Sequence, residues 1–497
     1  MGRIANKIGE IVLRTAVLTA VTVVLLSSCD PMALKNYITA RTYGTIYVSI
    51  DTGSDSNPGT KTEPMQTIEA AIDYLENNSV EGRVNVAEGT YTYDYSSGEF
   101  IQVVEGISLY GGYNLDFSTI DVTENETIIV DLSSTGGSGQ VDPNRAVEAA
   151  NGITKATIID GFTIQGGGGT YSSAVYCDNS SPTITNCKIN GGNGSVRAYG
   201  ILNYTADPEI INNREIFAGI AVSGNAIAIC NYQVSKPLIK NNYIHGGSGR
   251  YTGGIVNQSN AEAVIDSNTI HGGSASGAAN SQANGIQDVG STSTIRNNII
   301  FGGQSTYMSF GIACFWLCDS YICNNTIDGG TGTTQSRGIF ISDLDSDYYA
   351  TPIVRNNIIF SSNTGYCILE LNSDGITGAQ AVENNYLWDM VGTTTLYYTS
   401  SGASYDDAQL PDVGVNSRSY ASGNITNTDF DPLFVDIDGT DDSVTTILDN
   451  DWHLHSDAPS GVKTGALDRS LEFTTDRDGK RRTGTGYTGW SMGAYEY

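Results

Sequence analysis

Along most of the chain, aliphatic residues recur at fixed offsets within a background of Asn, Gly, Ser and Thr. The copies read "ATIIDGFTIQGG" (156–167), "PTITNCKINGG" (182–192), "PEIINNREIFAG" (208–219), "PLIKNNYIHGG" (237–247) and "AVIDSNTIHGG" (263–273). They continue as "STIRNNIIFGG" (293–303), "SYICNNTIDGG" (320–330), "PIVRNNIIFSS" (352–362) and "AVENNYLWD" (381–389). The last inward aliphatic of each copy forms the series Ile164, Ile189, Ile216, Ile244, Ile270, Ile300, Ile327, Ile359, Leu387, in steps of 25–32 residues. A period of that size with variable insertions is the signature of a solenoid.

A second phrase lies between the copies: "YGILN" (199–203), "GGIVN" (253–257), "NGIQD" (284–288), "FGIAC" (310–314) and "RGIFI" (337–341). Each period therefore carries three short strands and no helical stretch, which suits one turn of a coil whose strands pair with those of adjacent turns. Ile239 and Ile244 are an odd five residues apart, so the chain must bend at Asn241–Asn242 for both to point inward. Asn tolerates the left-handed backbone of such a corner, and stacked Asn amides can bond in a ladder. The pattern predicts an all-β right-handed parallel β-helix of roughly 10–12 coils.

Composition agrees. The chain has 497 residues, with 58 glycines and only 11 prolines, as expected of many tight turns between strands. A net charge of −29 repels phosphate backbones, so no nucleic-acid partner is expected. At the N-terminus, "MGRIANKIGEIVLR" supplies Arg3, Lys7 and Arg14, and the apolar run "TAVLTAVTVVLL" is too short to span a bilayer comfortably but suits a signal peptide. "LSSC" (26–29) resembles the lipobox of bacterial lipoproteins. That resemblance implies cleavage before Cys29 and its lipidation, with the lipid bilayer as a partner and location at the outer membrane or cell surface. Loss of residues 1–28 would take the net charge to −31. Seven further cysteines, an odd number, fall mostly at inward positions and read as core fillers.

On these phrases, the repeats resemble the right-handed parallel β-helix proteins of the pectin-lyase-like superfamily, and "GFTIQGG" is typical of them. The segment "IYVSIDTGSDSNPGTKTEPMQTIEAAIDYL" (46–75) resembles their N-terminal cap, with Met65, Ile68, Ala71, Ile72 and Leu75 on one helix face. The ending "DWHLHSDAPSGVKTGALD…TTDRDGKRRTGTGYTGWSMGAYEY" resembles proteins called choice-of-anchor Q. The expected organisation is a signal peptide (1–28), a linker and capping segment (29–80), the β-helix (81–394) and C-terminal coils and tail packing on it (395–497). The superfamily includes lyases, hydrolases, esterases and non-enzymatic proteins, so the resemblance leaves function open.

Two outward faces bear on that question. In the "GI" strand, the residues after each isoleucine (Tyr176, Leu202, Val256, Gln287, Ala313, Phe340, Leu369) are nearly uncharged, which counts against acid–base catalysis there. The "NxIxGG" strand offers Tyr243, His245, His271, Phe301, Phe360, Tyr386 and Trp388 as a candidate stripe for stacking sugar rings. The alternative is that residues 395–497 fold back and cover it, since exposed apolar patches of that extent are rare unless functional. Asp343, Asp345 and Asp347 form a candidate acidic loop. "DIDGTDD" (436–442) and "DRDG" (476–479) have calcium-loop spacing but lack the later bidentate Glu, so calcium is a weak candidate cofactor and no metal site is assigned. The leading expectation is an exported lipoprotein that binds or displays polysaccharide without cleaving it. A polysaccharide lyase or hydrolase is the alternative, and a structural or adhesive stalk the second alternative.

Overall fold

The computed structural model describes residues 43–277, 280–343, 349–363, 365–371, 378–388, 395–398, 404–405, 420–427, 434–437, 440, 450–483 and 488–497. Its strands wind into an all-β, right-handed parallel β-helix built from three long sheets. Sheet A has 13 strands, from Tyr43–Val48 to Tyr420–Ser422, and carries the first inward isoleucine of each repeat. Sheet B has 12, from Gly89–Tyr93 to Ile425–Asn427, and carries the second. Sheet C holds the longest strands, among them Asn193–Tyr204, Asn225–Tyr232, Tyr251–Gln258, Gln282–Val289, Met308–Phe315 and Gln335–Ser342. Successive rungs pair in parallel and in register, so Ile244 lies beside Ile270 and Ile270 beside Ile300. These isoleucines, with Ile239, Ile265 and Ile295 of sheet A and Ile255, Ile286 and Ile312 of sheet C, fill one continuous core. Each buried Ile contributes about 1.5–3 kcal/mol relative to an exposed one.

The corner between sheets A and B explains the paired asparagines. The outer Asn adopts the left-handed conformation, as at Asn212, Asn241, Asn297, Asn324, Asn356 and Asn384. The inner Asn points into the coil and builds the expected ladder. Asn242 Nδ2 donates to Asn268 Oδ1 at 2.9 Å, Asn268 to Asn298 at 3.0 Å, and Asn298 to Asn325 at 3.0 Å. Each also donates to a sheet A carbonyl, as Asn242 does to Ile210 O at 2.8 Å. The amides are thereby satisfied in a dry interior, where one orphaned group costs about 1–3 kcal/mol.

Tyr43–Val48 is a strand of sheet A, paired with Glu81–Ala87. Helix α1 (Ile68–Asn77) follows it, capped by Thr67 Oγ1, which accepts from Ala70 N at 3.2 Å. Its buried face is Ile68, Ala71, Ile72 and Leu75, in the same core as Val84 and Val86. Among the described residues, no helix is long and apolar enough to cross a membrane.

Sheet C is kinked at the glycine of each "GI" phrase. A Cβ on Gly311 would sit 2.5 Å from Ile327 Cγ2 of sheet B and 2.6 Å from Gly338 O, so only glycine fits. Gly254, Gly285 and Gly338 meet the same obstruction from Ile270, Ile300 and Ile359. Two consecutive inward residues, Gly and Ile, break the alternation of the strand. The residues on either side of the pair therefore both point outward and converge: Phe310 stacks on Phe340 at 5.0 Å between centroids.

The C-terminal residues return along the solenoid. Phe434–Asp436 pairs antiparallel with Asp451–Leu454, and Ala466–Leu467 with Thr488–Trp490. The outer asparagines of the A–B corner hold this segment. Asn297 donates to Thr475 O at 3.2 Å, Asn324 to Ser491 O at 3.1 Å, Asn356 to Leu467 O at 2.9 Å and Asn384 to Gly465 O at 2.7 Å. Arg482 crosses to Asn297 Oδ1 at 2.9 Å and pairs with Glu496 at 3.4 Å, both buried.

Candidate functional site

The sheet B stripe divides in two. Phe301, Phe360, Tyr386 and Trp388 are each at most 1% exposed, packed beneath Phe434, Trp452, Trp490 and Met492. Of the two expectations, an open sugar-stacking surface and a cover by residues 395–497, the first is corrected for these four residues: the C-terminal segment packs over them, and they are core. Their apolar neighbours Ile299 and Ile358 explain the cover, because a contiguous apolar surface of this kind is stable only when shielded from water.

The upper part of the stripe is less covered. Tyr243 and His245 are half-buried, and His271 is buried. The two imidazoles stack with centroids 4.5 Å apart and 7° between planes. Each Nδ1 accepts a backbone N–H two residues on: from Gly247 at 3.1 Å and from Gly273 at 2.8 Å. Burial pushes the His271 pKa down to about 3 and lowers that of His245, so the rings are neutral packing groups at pH 7. Asp328, in the same column, is separated from His271 by Phe301. Its carboxylate accepts from Gly330 N and Ser362 N at 2.9 Å each, and burial raises its pKa to about 6.

Other candidates are structural or lie elsewhere. Asp343 is buried at the end of its sheet C strand rather than exposed on a loop. Cys29, Asp345 and Asp347 lie outside the described residues, as does most of "DIDGTDD". In "DRDG", Asp476 accepts backbone N–H groups from Asp478, Lys480 and Glu496, so it shapes a turn. Among the described residues, no three His, Cys, Asp or Glu side chains converge to hold a metal ion. All seven described cysteines are buried, and no disulfide joins any two of them.

The open site is on sheet C. A groove of about 620 Å³ is lined by Gln140, Arg197, Tyr232, Gln258, Val289 and Trp316, with the turns at 259–260 and 290 and Leu317 completing its rim. One wall is the loop carrying Gln140, held where Tyr176 Oη donates to Val141 O at 3.1 Å. Arg197 Nη1 donates to Gln140 Oε1 at 2.8 Å and to Tyr199 Oη at 3.0 Å, which ties that wall to the sheet. Gln140 and Gln258 both point their amides at Cys230 Sγ, at 3.7 and 3.4 Å. The opposite rim ends in Trp316 and Leu317, consecutive residues at φ 39° and 49°, which place an indole 38% exposed to solvent. Non-glycine residues in that region cost about 1–3 kcal/mol each and persist where the surroundings impose them.

The groove juxtaposes flat apolar ring faces with amides and a guanidinium, and its size falls within the range of about 300–1,000 Å³ typical of ligand sites. None of its lining side chains is a carboxylate. Sequence reading placed the residues after each isoleucine on this face but missed the second outward column, which holds Tyr199, Asn284, Phe310 and Arg337. The signal for it was the glycine before each isoleucine, which interrupts the alternation.

The fold is a right-handed parallel β-helix with a groove on sheet C. Residues 51–236 match a family described as a protein of unknown function (DUF1565). No curated protein matches the sequence. Among solved structures, the chain is similar to pectate lyase Pel9A, at 15% identity and TM-score 0.48 over 92% of this chain and 97% of that one. It is also similar to the GH136 lacto-N-biosidase from Eubacterium ramulus, at 10% identity and TM-score 0.39 over 78% and 68% of the two chains. The periplasmic alginate epimerase AlgG is similar at 12% identity and TM-score 0.38, over 70% of this chain and 78% of that one.

Proposed function

We propose that this chain is an exported, lipid-anchored β-helix protein that binds polysaccharide in the sheet C groove without cleaving it. The observation that carries the reading is the composition of the groove: the exposed face of Trp316 and the ring of Tyr232 beside the Arg197 guanidinium and the Gln140 and Gln258 amides. Sugar rings present C–H faces to aromatic rings and hydroxyls to amides, and this arrangement offers both. Glycosidic cleavage needs two nearby carboxylates, or a carboxylate with a base. The lining residues offer neither, which favours binding over catalysis. Export and anchoring rest on the signal-like segment and Cys29.

A glycan array run beside a polysaccharide-degradation assay on the purified full chain tests the reading. Binding with no new reducing or unsaturated ends is expected, and Trp316→Ala should lose binding while melting at the wild-type temperature. Release of such ends would show an enzyme, and absence of binding to any glycan would refute the groove assignment. For the anchor, Cys29→Ser should abolish incorporation of labelled fatty acid in a bacterial host; label that persists in the variant rules the anchor out.

A further inference from the structure

A second ladder of amides runs inside the bend from sheet C to sheet A. Asn203, Asn231, Asn257 and Asp288 occupy one position in successive rungs, all buried. Asn203 Nδ2 donates to Asn231 Oδ1 at 2.7 Å, Asn231 to Asn257 at 2.6 Å and Asn257 to Asp288 at 2.5 Å. The next rung ends the ladder with Cys314, the register partner of Asp288. Asp288 accepts instead from Ser320 Oγ at 2.5 Å, and Cys318 lies 3.5 Å from the same hydroxyl. The Cys314 and Cys318 thiols are hydrogen-bonded to each other, both fully buried. The other described cysteines meet oxygen or nitrogen. Cys187 donates to Thr185 O at 3.1 Å, Cys323 to Asn324 Oδ1 at 3.0 Å and Cys367 to Trp388 O at 3.4 Å. Cys230 accepts from Gln258 at 3.4 Å, and Cys177 bonds to Ser180.

The turn between these two thiols is unlike its neighbours. Trp316 and Leu317 sit there at φ 39° and 49°. Two rungs earlier the same bend is made by Ser259 and Asn260, and one rung earlier by Gly290, at φ 58°. Glycine and asparagine adopt the left-handed region readily, whereas a tryptophan and a leucine do so only where the surroundings impose it. In the bend that follows Asn231, the turn is tied by Ser235, whose Oγ donates to Tyr232 O at 2.9 Å. Cys318 stands where Ser235 does, four residues after the ladder position. A covalent tie from Cys314 to Cys318 would hold this more strained turn in the same way.

We infer that Cys314 and Cys318 form a disulfide, made by exchange with a carrier disulfide as the chain folds, and that the bond fixes the turn presenting Trp316 to the groove. The inference takes its oxidising compartment from the proposed export and requires nothing of the groove's ligand. One cysteine thiolate attacks the carrier disulfide, forming a mixed disulfide and releasing a carrier thiolate. The other cysteine then attacks the cysteine sulfur of that mixed disulfide and expels the second carrier thiolate. Two cysteine thiols are oxidised to one disulfide, one carrier disulfide is reduced to two thiols, and the two protons pass to the carrier. The bond forms before the bend closes. In the folded chain the hydrogen bond to Cys318, burial and the nearby Asp288 carboxylate hold the Cys314 thiol protonated, well above the ordinary thiol range. Once the bond is made, the same burial shields it from reductants.

The test is refolding of the reduced full chain with oxidised glutathione, followed by blocking of free thiols with N-ethylmaleimide and mass analysis of a chymotryptic digest. Chymotrypsin cuts between the two cysteines, at Phe315, Trp316 and Leu317, so only a disulfide keeps the fragments together. Joined fragments carrying Cys314 and Cys318 are expected, with Cys323 blocked. Chain refolded with a reductant instead should melt about 2–4 °C lower. Cys318→Ala, which installs the residue found at Ala261, should melt at that lower temperature in either buffer. If this variant fails to fold, the wild-type digest and the two wild-type melts decide. Cys314 and Cys318 both recovered blocked, or either joined to another cysteine, overturns the inference. A joined chain that melts no higher than the reduced one overturns the fixing of the turn. Blocking thiols in a bacterial host separates the inference from the proposed export: a full chain that pairs on refolding but is recovered reduced from the cell overturns export and leaves the pair standing.

Discussion

The outer faces of sheets B and C both carry aromatic rings, but only sheet C keeps a groove open beside them. On sheet B, Phe301, Phe360 and Trp388 lie beside Ile299, Ile358 and Tyr386, and the carboxylate between the two phenylalanines, Asp328, is buried with its bonds taken by Gly330 and Ser362. That surface is sealed by Trp452, Trp490 and their neighbours. On sheet C, rings alternate with Arg197, Gln258, Asn284 and Arg337, and the middle of the face stays open. Aromatic content alone therefore does not identify a ligand surface in a solenoid. What distinguishes one is interleaved polar groups whose hydrogen-bonding capacity the fold leaves unfilled.

The contrast is broken most directly by removing one indole from each side. Trp490→Ala, in the cover of sheet B, should cost about 3–5 kcal/mol in urea unfolding, while the exposed Trp316→Ala should stay within about 0.5 kcal/mol. Equal losses would mean that the two surfaces are not different in kind. Gly311→Ala comes next. It drives a methyl group into Ile327 and should cost about 1–3 kcal/mol by thermal melting. A neutral effect would remove the steric account of the "GI" phrase.

A smaller effect separates the neutral imidazoles of sheet B from ordinary surface histidines. His271 is held near pKa 3 in the folded protein but titrates near 6.5 when unfolded, so between these values only the unfolded chain takes up the proton. Stability should therefore fall with pH below about 6.5, by about 1.4 kcal/mol at pH 5.5 from this residue. In His271→Phe, the difference in stability between pH 7 and pH 5.5 should shrink by that amount. Asp328 acts in the opposite sense, because its folded pKa is raised to about 6 and the folded protein gains stability as pH drops below that value. An unchanged pH dependence in His271→Phe would show that its ring is solvated. The least effect is expected for Lys155→Gln on the sheet A side, whose half-exposed ion pair with Glu209 is worth no more than about 0.5 kcal/mol.

Much of the coil was legible because its determinants are local and repeated. Ile244, Ile270 and Ile300 recur one per rung, and the Asn corners have one backbone solution. The groove was not legible for two reasons. Gln140 reaches Arg197 from a loop 57 residues earlier and belongs to no repeat. Its sheet C wall, Tyr232, Gln258 and Val289, stands three residues after each isoleucine, past the end of the repeated phrase. The apolar extent of the sheet B stripe made a cover legible, but not its contacts, because the cover comes from a segment without periodicity. The asparagines that hold this cover, Asn297, Asn324, Asn356 and Asn384, look in sequence like every other corner.

The cover also follows in the chain the rungs it protects, which sets an order of events in synthesis. Phe301 leaves the ribosome 189 residues before Trp490, an interval of about 10–40 s at 5–20 residues per second. Throughout that time the rings of sheet B have no lid, while parallel pairing, which is intrinsically slow, proceeds. A nascent chain interrupted before residue 452 would present a ready-made adhesive strip to its neighbours. Completion of the last turns thus hides a surface that every shorter chain leaves exposed.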